Sequence, residues 1–261
     1  MRWIYLAALG ALLLGSSALA QTQSPADGAS PPAVAATTEG EQQFKQITGE
    51  FDTAMKAFQA DYGKATTDDQ RQKLIDAKYP KPETYIQRLL PLAQANPNTP
   101  LARDVYVWAL SHGAGGQAES EALKQLAENF PTDQAVAQQV IPRLSWSGSP
   151  QAEALLRAAM EKNTDRKQKG MAQLTLGTYL KNNDRGAEAE KLLDDLSANY
   201  TDVKTGRSSL AEQANNVLFE VRNLAIGKTP PEITGESIDG KPMKLSDYKG
   251  KVVVLDFFGD W

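Results

Sequence analysis

The most informative absence from this chain is cysteine, since none of its 261 residues can supply a thiol. These residues therefore form no disulfide, no zinc–thiolate site and no thiol nucleophile of their own. The chain has a single histidine, His112, and no Gly-x-Ser-x-Gly sequence, so nothing favours a serine hydrolase triad. The sequence predicts no metal site and no bound cofactor, and we expect His112 to be a helix-end or core residue.

An excess of positive charge is also missing. The net charge is −4 at pH 7, and it becomes −5 if Arg2 is removed with an N-terminal leader. Without a basic face or stripe, the sequence predicts no nucleic-acid partner. Beyond the first twenty residues no apolar run is long enough to cross a bilayer, so we expect no stable membrane span after the leader is cleaved.

The first forty residues have the pattern of an exported protein. Residues 1–20 resemble a signal peptide: Arg2 precedes an apolar run, and Ala18-Leu19-Ala20 is a small-x-small cleavage pattern. The run is short for a permanent anchor, although an uncleaved signal anchor is the alternative. Residues 21–40 are rich in Pro, Ala, Ser and Thr and are predicted to be a disordered linker. We expect export to the periplasm or cell envelope, or secretion.

Residues 41–226 have the three- and four-residue apolar period of amphipathic helices. Strand-like alternation is scarce there, so the segment is predicted to be an α-helical domain. Trp108 and Trp146 are expected to lie in its core or between helices. The stripes that carry the prediction are Phe44, Ile47, Phe51, Met55, Phe58 and Tyr62; Leu123, Leu126, Ala127 and Phe130; Ala152, Leu155, Leu156 and Ala159; Ala189, Leu192, Leu193 and Leu196; and Leu210, Ala214, Val217, Leu218, Val221 and Leu224.

A repeat is visible within this helical region. Helix-ending segments that begin with asparagine occur at Asn96, Asn129, Asn163 and Asn199, at intervals of 33, 34 and 36 residues. Tetratricopeptide repeats have a period of about 34 residues, and the last unit resembles that family at Leu176-Gly177. The earlier units match poorly. We favour a repeat-like stack of helical hairpins, with an irregular helical bundle as the alternative.

The pattern changes at Gly227, where turn signals replace the helical period. Asp239-Gly240 predicts the two-residue turn of a β-hairpin. Six of the seven residues in Val252–Phe258 are apolar, and most are β-branched or aromatic. Such a run is typical of a strand that is buried on both faces in a sheet covered by helices.

Residues 227–261 contain a series of short motifs in a fixed order: Thr229-Pro230-Pro231-Glu232-Ile233, Asp239-Gly240-Lys241, Leu245-Ser246-Asp247-Tyr248-Lys249-Gly250-Lys251, Val252–Phe258 and Gly259-Asp260-Trp261. In their order and spacing these residues resemble the beginning of the thioredoxin-like redoxin family (AhpC/TSA-like), in particular thiol–disulfide oxidoreductases of the TlpA and ResA type. Peroxiredoxins, which lack a tryptophan directly before their reactive cysteine, fit the last four residues less well.

The resemblance implies a Cys-x-x-Cys motif directly after Trp261, so residues 227–261 are expected to be an incomplete redox domain. Asp256 matches the acidic residue that the family places in its central strand, where burial would favour the protonated carboxyl group and allow it to relay a proton. An aspartate at a sheet edge, or one paired with a lysine, is the alternative. Trp261 would flank the missing cysteines. The implied partners are protein disulfide or dithiol substrates, or a redox partner protein.

The predicted fold is mainly α: a helical-hairpin module is followed by the β-hairpin and central strand of a truncated α/β thioredoxin-like domain. The leading hypothesis for function is an exported thiol–disulfide oxidoreductase whose catalytic cysteines are absent from this chain. The alternative is a non-enzymatic secreted interaction protein, built on helical repeats, with a vestigial redoxin segment.

Overall fold

A computed structural model of the chain describes residues 35–257. The predicted signal peptide, most of the predicted linker and the last four residues, Trp261 among them, lie outside the described residues. Within the described part, no helix combines the length and apolar character needed to cross a membrane.

Residues 35–257 are mainly α-helical, which confirms the predicted fold class. Their helices are α1 (Ala35–Tyr62), α2 (Asp68–Lys78), α3 (Pro82–Ala95), α4 (Pro100–Ser111), α5 (Gly116–Asn129), α6 (Pro150–Lys162), α7 (Arg166–Asn182), α8 (Gly186–Asn199) and α9 (Leu210–Asn223). Between α5 and α6, a π-helical turn (Val136–Val140) leads into a 3-10 helix (Ile141–Trp146). Two short antiparallel hairpins pair β1 (Lys204–Thr205) with β2 (Ser208–Ser209) and β3 (Thr234–Glu236) with β4 (Pro242–Lys244).

From α3 onward, most helices pack against the next helix along the chain, and α7 also contacts α9. Their apolar stripes form one continuous core. Its largest fully buried side chains are mostly leucines: Leu89, Leu123, Leu126, Leu155, Leu156, Leu176, Leu180, Leu193, Leu196 and Leu210. Burying one such side chain contributes about 1.5–3 kcal/mol, so this core supplies most of the stabilisation of the helical domain.

The predicted stripes fall on the buried faces of the helices with few exceptions. All four stripe residues of α6 are buried, and α9 buries Leu210, Ala214, Leu218 and Val221. The predicted α9 stripe also includes Leu224, but this residue follows the last helical residue and is 56% exposed. Trp108 packs against the core as expected, whereas Trp146 is 79% exposed, so its predicted core position is wrong.

The four repeated asparagines mark the ends of helices. Asn96 and Asn163 cap α3 and α6 at their C-termini, and Asn129 and Asn199 are the last residues of α5 and α8. The chain then turns into the next helical segment. The order of packing is that expected of stacked hairpins, but the π-helical turn and 3-10 helix replace a regular helix between α5 and α6.

The helical region begins earlier than Glu41. Helix α1 starts at Ala35, inside the segment predicted to be a disordered linker, so the predicted boundary is too late. Alanine is the strongest helix former, and Ala35-Ala36 extend the helix although the surrounding composition is typical of a linker. For residues 21–34 the linker stays a prediction.

A partly buried carboxylate joins α6 to the start of α8. Glu153 accepts hydrogen bonds from Arg185 at 2.6 Å and from Arg157 at 2.8 Å, and its side chain is 18% exposed. These two guanidinium groups, Arg185 first, hold the pKa of Glu153 below its usual value. The ionised carboxylate therefore stabilises the fold above its unfolded-state pKa, and this contribution is lost as the pH falls through the folded pKa.

We expect Glu153→Gln to lower the free energy of unfolding by about 1 kcal/mol, because two charged donors lose their anionic acceptor. Urea unfolding at pH 7 measures the effect. Lys73→Gln is the matched control, because Lys73 and Asp69 form a pair whose side chains are both about three-quarters exposed and such pairs contribute little. Equal effects of the two substitutions would contradict the structural role of Glu153.

Candidate functional site

The segment that resembles a redox domain begins directly after the last helix. Gly227, with a φ of 85°, lies in the turn that follows α9. Strands β3 and β4 then form a hairpin in which Thr234 pairs with Lys244 and Gly235 with Met243. The hydrogen bond from the Leu245 N–H to the Ile233 carbonyl, at 2.9 Å, extends the pairing by one step. The predicted hairpin is therefore present.

The turn of this hairpin is one residue longer than the predicted two-residue turn. The Gly240 N–H donates to the Ser237 carbonyl at 2.8 Å, which places Ile238 and Asp239 at the centre of the turn. Gly240 follows with a φ of 72°, a left-handed conformation that glycine adopts without strain. A turn of this form, closed by a left-handed glycine, is the common alternative to the two-residue hairpin turn.

Two carboxylates fix the chain after the hairpin. Asp247 accepts from the Lys244 N–H at 3.0 Å and so caps the 3-10 helix Leu245–Tyr248. Glu232 accepts from the backbone N–H groups of Ser246 and Ile233, each at 3.1 Å. The Ser246 side chain first, and then these backbone N–H groups, hold the pKa of Glu232 below its usual value against the opposing effect of burial. The Leu-Ser-Asp stretch is therefore tied back to the residues that precede the hairpin.

The prediction of a strand buried on both faces at Val252–Phe258 is wrong for the described residues, which reach Phe257. Residues 252–257 form no strand, and all six are exposed. Val252 is 98% exposed, Val254 88% and Phe257 84%. A strand requires a hydrogen-bonding neighbour, and none of the described strands pairs with this segment. Its apolar composition indicates a tendency to pair with other strands.

The apolar segment nevertheless borders a hollow on the hairpin. Val253, Val254 and Leu255 line one side of a cavity of about 270 Å³, and the other side includes Met243 and Tyr248. The Tyr248 hydroxyl contacts the Met243 sulfur at 3.1 Å. An apolar hollow next to unpaired apolar backbone is a surface that further strands or a helix could cover.

Of the two residues predicted to support redox chemistry, Asp256 lies in the described part and Trp261 does not. Asp256 is exposed rather than enclosed in a sheet, so the burial on which its predicted proton relay depends is absent here. No group of three or more metal-ligating side chains occurs among residues 35–257.

The single histidine lies at a helix end, as predicted. His112 follows the last residue of α4, and its Nδ1 is 2.8 Å from the Trp108 carbonyl. Its ring stacks on Trp108 with the centroids 4.0 Å apart, and the Phe51 ring meets it edge-on at 5.0 Å. Burial lowers the pKa of His112, while the Trp108 carbonyl and the Asp52 carboxylate oppose the shift and Arg143 adds to it. The residue is a structural contact between α1 and α4.

Protonation of His112 is expected to destabilise the protein. Because the folded pKa lies below the unfolded one, the unfolded chain takes up the proton first as the pH falls, and stability decreases until the folded pKa is passed. Between pH 7 and pH 5.5 no other histidine titrates. Urea unfolding at these two pH values should give a smaller loss of stability for His112→Gln than for the natural chain. An unchanged pH dependence in the variant would contradict this assignment.

Comparison with known proteins gives one partial similarity. The chain is 37% identical over 46 residues to the thiol-disulfide oxidoreductase ResA of Geobacillus thermodenitrificans (strain NG80-2). These residues are 18% of this chain and 26% of the relative, so the chain covers about a quarter of the relative's length. No protein-family model and no solved structure matches the chain. The similarity points to a relation with thioredoxin-like oxidoreductases, while the tetratricopeptide-like repeat stays a prediction.

Proposed function

We propose that this chain is part of an exported thiol–disulfide oxidoreductase of the thioredoxin-like class, acting in the cell envelope. The observation that carries the proposal is the 46-residue similarity to a thiol-disulfide oxidoreductase, together with a hairpin whose turn and capping residues fit the redoxin resemblance. Since the 261 residues contain no cysteine, the reactive dithiol would lie outside them. The helical domain would then accompany a redox domain that starts near Gly227.

The proposed reaction is a two-electron exchange between a dithiol and a disulfide. A thiolate at a helix N-terminus attacks one sulfur of the substrate disulfide and releases the other as a thiolate. The second cysteine then attacks the mixed disulfide, so the enzyme becomes oxidised to a disulfide and the substrate is reduced to two thiols. A redox partner protein that supplies two electrons and two protons would restore the dithiol.

In this proposal, residues 252–257 become a strand when neighbouring strands pair with them. Burial of that strand would enclose Asp256 behind the dithiol, where its carboxyl group could accept the proton of the second cysteine. Trp261 would lie beside the cysteines and shape the surface that meets the substrate. The hollow lined by Val253, Leu255 and Met243 would be filled by the rest of the domain.

Insulin reduction by the mature protein, purified from the cell envelope, tests the proposal. With dithiothreitol as reductant, we expect insulin to precipitate faster than in the reductant alone. Asp256→Asn should slow the reaction by up to about 100-fold and change its pH profile, because the proton acceptor is lost. Asp239→Asn, in the exposed turn of the hairpin, is the matched control and should leave the rate unchanged. A mature protein that contains no dithiol and does not reduce insulin would favour the non-enzymatic interaction protein instead.

Export is tested separately by N-terminal sequencing of the mature protein. Cleavage after Ala20 would leave Gln21 as the first residue. An N-terminus at Met1 in a cytoplasmic fraction would contradict the proposed location.

A further inference from the structure

We propose that a hollow in the helical domain binds a free amino acid with an apolar side chain. The hollow lies where the end of α4 and the start of α5 meet the 3-10 helix Ile141–Trp146, and it has a volume of about 240 Å³. Arg143, Glu119 and Trp146 are among its lining residues. We call it the α4–α5 hollow. The proposal does not depend on the redox function, because all the lining residues belong to the helical domain.

Two irregular connections of the chain meet at the α4–α5 hollow. Between α4 and α5 the chain turns through Gly113 and Gly116, whose φ angles are 81° and 58°, and Ala114 between them lines the hollow. The connection between α5 and α6 contributes Val140 from its π-helical turn and Trp146 from its 3-10 helix. Departures from regular helix of this kind often occur at functional sites.

The α4–α5 hollow combines an apolar base with an aromatic wall. Val140 and Leu144, which are 2% and 6% exposed, belong to the core and to the lining, and Leu110 adds an apolar contact from α4. Trp146 is 79% exposed, so its indole is open to a ligand. Small-molecule sites have this composition, with few polar groups among apolar and aromatic side chains. At about 30 Å³ for each water, the volume corresponds to about eight waters, which suits one amino acid.

Arg143 brings a positive charge that no carboxylate neutralises. Of the nine arginines among residues 35–257, seven form ion pairs with carboxylates, and Arg143 and Arg207 do not. Arg143 is nevertheless held in place, because its Nη1 donates to the Ser111 carbonyl at 3.1 Å. The planar guanidinium group has further N–H donors, and its fork matches the geometry of a carboxylate. We therefore assign the carboxylate of the ligand to Arg143.

Glu119 supplies the opposite charge in the same hollow. It lies in the first turn of α5 and is half-buried. Although Glu119 and Arg143 both line the hollow, they do not pair with each other, so each keeps its charge for a ligand. Two unlike charges around one small space are complementary to a zwitterion, whose ammonium group would bind Glu119. A simple carboxylic acid would instead place its negative charge near that of Glu119.

The apolar base determines the side chain of the ligand. A charged side chain against Val140 and Leu144 would lose its hydration without gaining a partner, which is costly. An aliphatic or aromatic side chain gains from the same contact, because it leaves water. Leucine is therefore a suitable probe.

Binding of leucine to the mature protein tests the proposal. Isothermal titration calorimetry is one measurement, and the other is the ¹H–¹⁵N signal of the Trp146 indole, identified as the signal that Trp146→Ser removes. We expect a dissociation constant of about 1 mM, as for a ligand of this size. Leucine amide, which lacks the carboxylate, and N-acetyl-leucine, which lacks the ammonium group, should each bind about tenfold more weakly.

Substitutions of the two charged residues assign the contacts. Arg143→Gln should weaken leucine binding about tenfold, and Arg143→Lys should weaken it less, because the charge remains while the fork is lost. Glu119→Gln should weaken the binding of leucine but not that of N-acetyl-leucine, which has no ammonium group. These side chains are exposed or half-buried, so the melting temperature should not change. Arg207→Gln is the matched control, because Arg207 is exposed and lies outside the hollow, and it should leave binding unchanged.

Four results would overturn the proposal. The first is the absence of binding at about 20 mM leucine, about twenty times the expected dissociation constant. The second is equal affinity for leucine, leucine amide and N-acetyl-leucine, which would indicate apolar contact without recognition of charge. The third is tighter binding of N-acetyl-leucine than of leucine, which would point to the C-terminus of a peptide. The fourth is unchanged leucine binding in Arg143→Gln. None of these results bears on insulin reduction, which tests the redox function separately.

Discussion

Gly177→Val is expected to lower the free energy of unfolding by about 3 kcal/mol, the upper part of the usual range for overpacking a core. Gly177 lies in the middle of α7 and faces α8. A Cβ atom placed there would lie 2.6 Å from Cδ2 and 2.7 Å from Cγ of Leu193, a fully buried side chain. The missing side chain therefore allows α7 and α8 to pack closely. Urea unfolding followed by circular dichroism measures the loss.

Gly49→Val is the matched control for this prediction. Gly49 is also inside a helix, but it is exposed, and a Cβ atom added to it would meet nothing within 4 Å. The free energy of unfolding should change by less than about 0.5 kcal/mol. In the Gly177→Val background, Leu193→Ala should cost less than it does alone, because it removes the atoms that clash. Additive effects of the two substitutions would contradict direct contact between these positions.

Deleting residues 227–261 is expected to increase the solubility of the 261-residue polypeptide strongly, while the helical domain keeps its melting temperature. The deletion removes Val252, Val254 and Phe257, each more than 80% exposed in a segment without a strand partner. Exposed apolar segments of this kind pair with other chains. The core of the helical domain includes no residue of this segment. Light scattering during concentration and thermal unfolding measure the two effects.

A second variant, with the full chain length, tests whether the apolar composition of the segment or its mere presence causes the aggregation. Val252→Lys/Val254→Lys keeps every residue position but places charges on the unpaired segment, and it should reduce self-association nearly as much as the deletion does. Aggregation that persists in both variants would show that the helical domain itself is the source. In that case the exposed Trp146 and Ile226 would be the first positions to replace.

The helical period of the apolar residues predicts most of the fold, because the residues that share one helix face by their spacing are also the buried ones. Leu155 and Leu156 of α6, for example, have the spacing of one helix face and are fully buried. Predictions near helix ends are less accurate. The predicted stripe of α9 extends to Leu224, which lies beyond the last helical residue. The spacing of apolar residues does not show where the helical hydrogen bonds end.

Trp146 shows a second reason for error. Its size and apolar character favour a core position, but it ends a 3-10 helix next to Ser147, and its place on the surface depends on the irregular connection between α5 and α6. No local pattern in the sequence indicates that the regular helix is replaced there by a π-helical turn. Tertiary packing decides such positions.

The candidate site could be predicted only in part, because a strand is not a local structure. The hairpin β3–β4 forms from neighbouring residues and its Asp-Gly signal suffices to locate it, although the turn is one step longer than predicted. A strand at Val252–Phe257 would need partner strands, and the composition of the segment does not show whether they are present. Asp256 lies in this segment and is exposed.

The most direct measurement of the central claim is the mass of the mature protein before and after reduction and alkylation. A redox domain of the proposed type predicts that reduction exposes one pair of thiols, so two alkyl groups are added, and that oxidation removes both together at a defined potential. A mature protein that takes up no alkylating reagent after reduction would contradict the proposed oxidoreductase function.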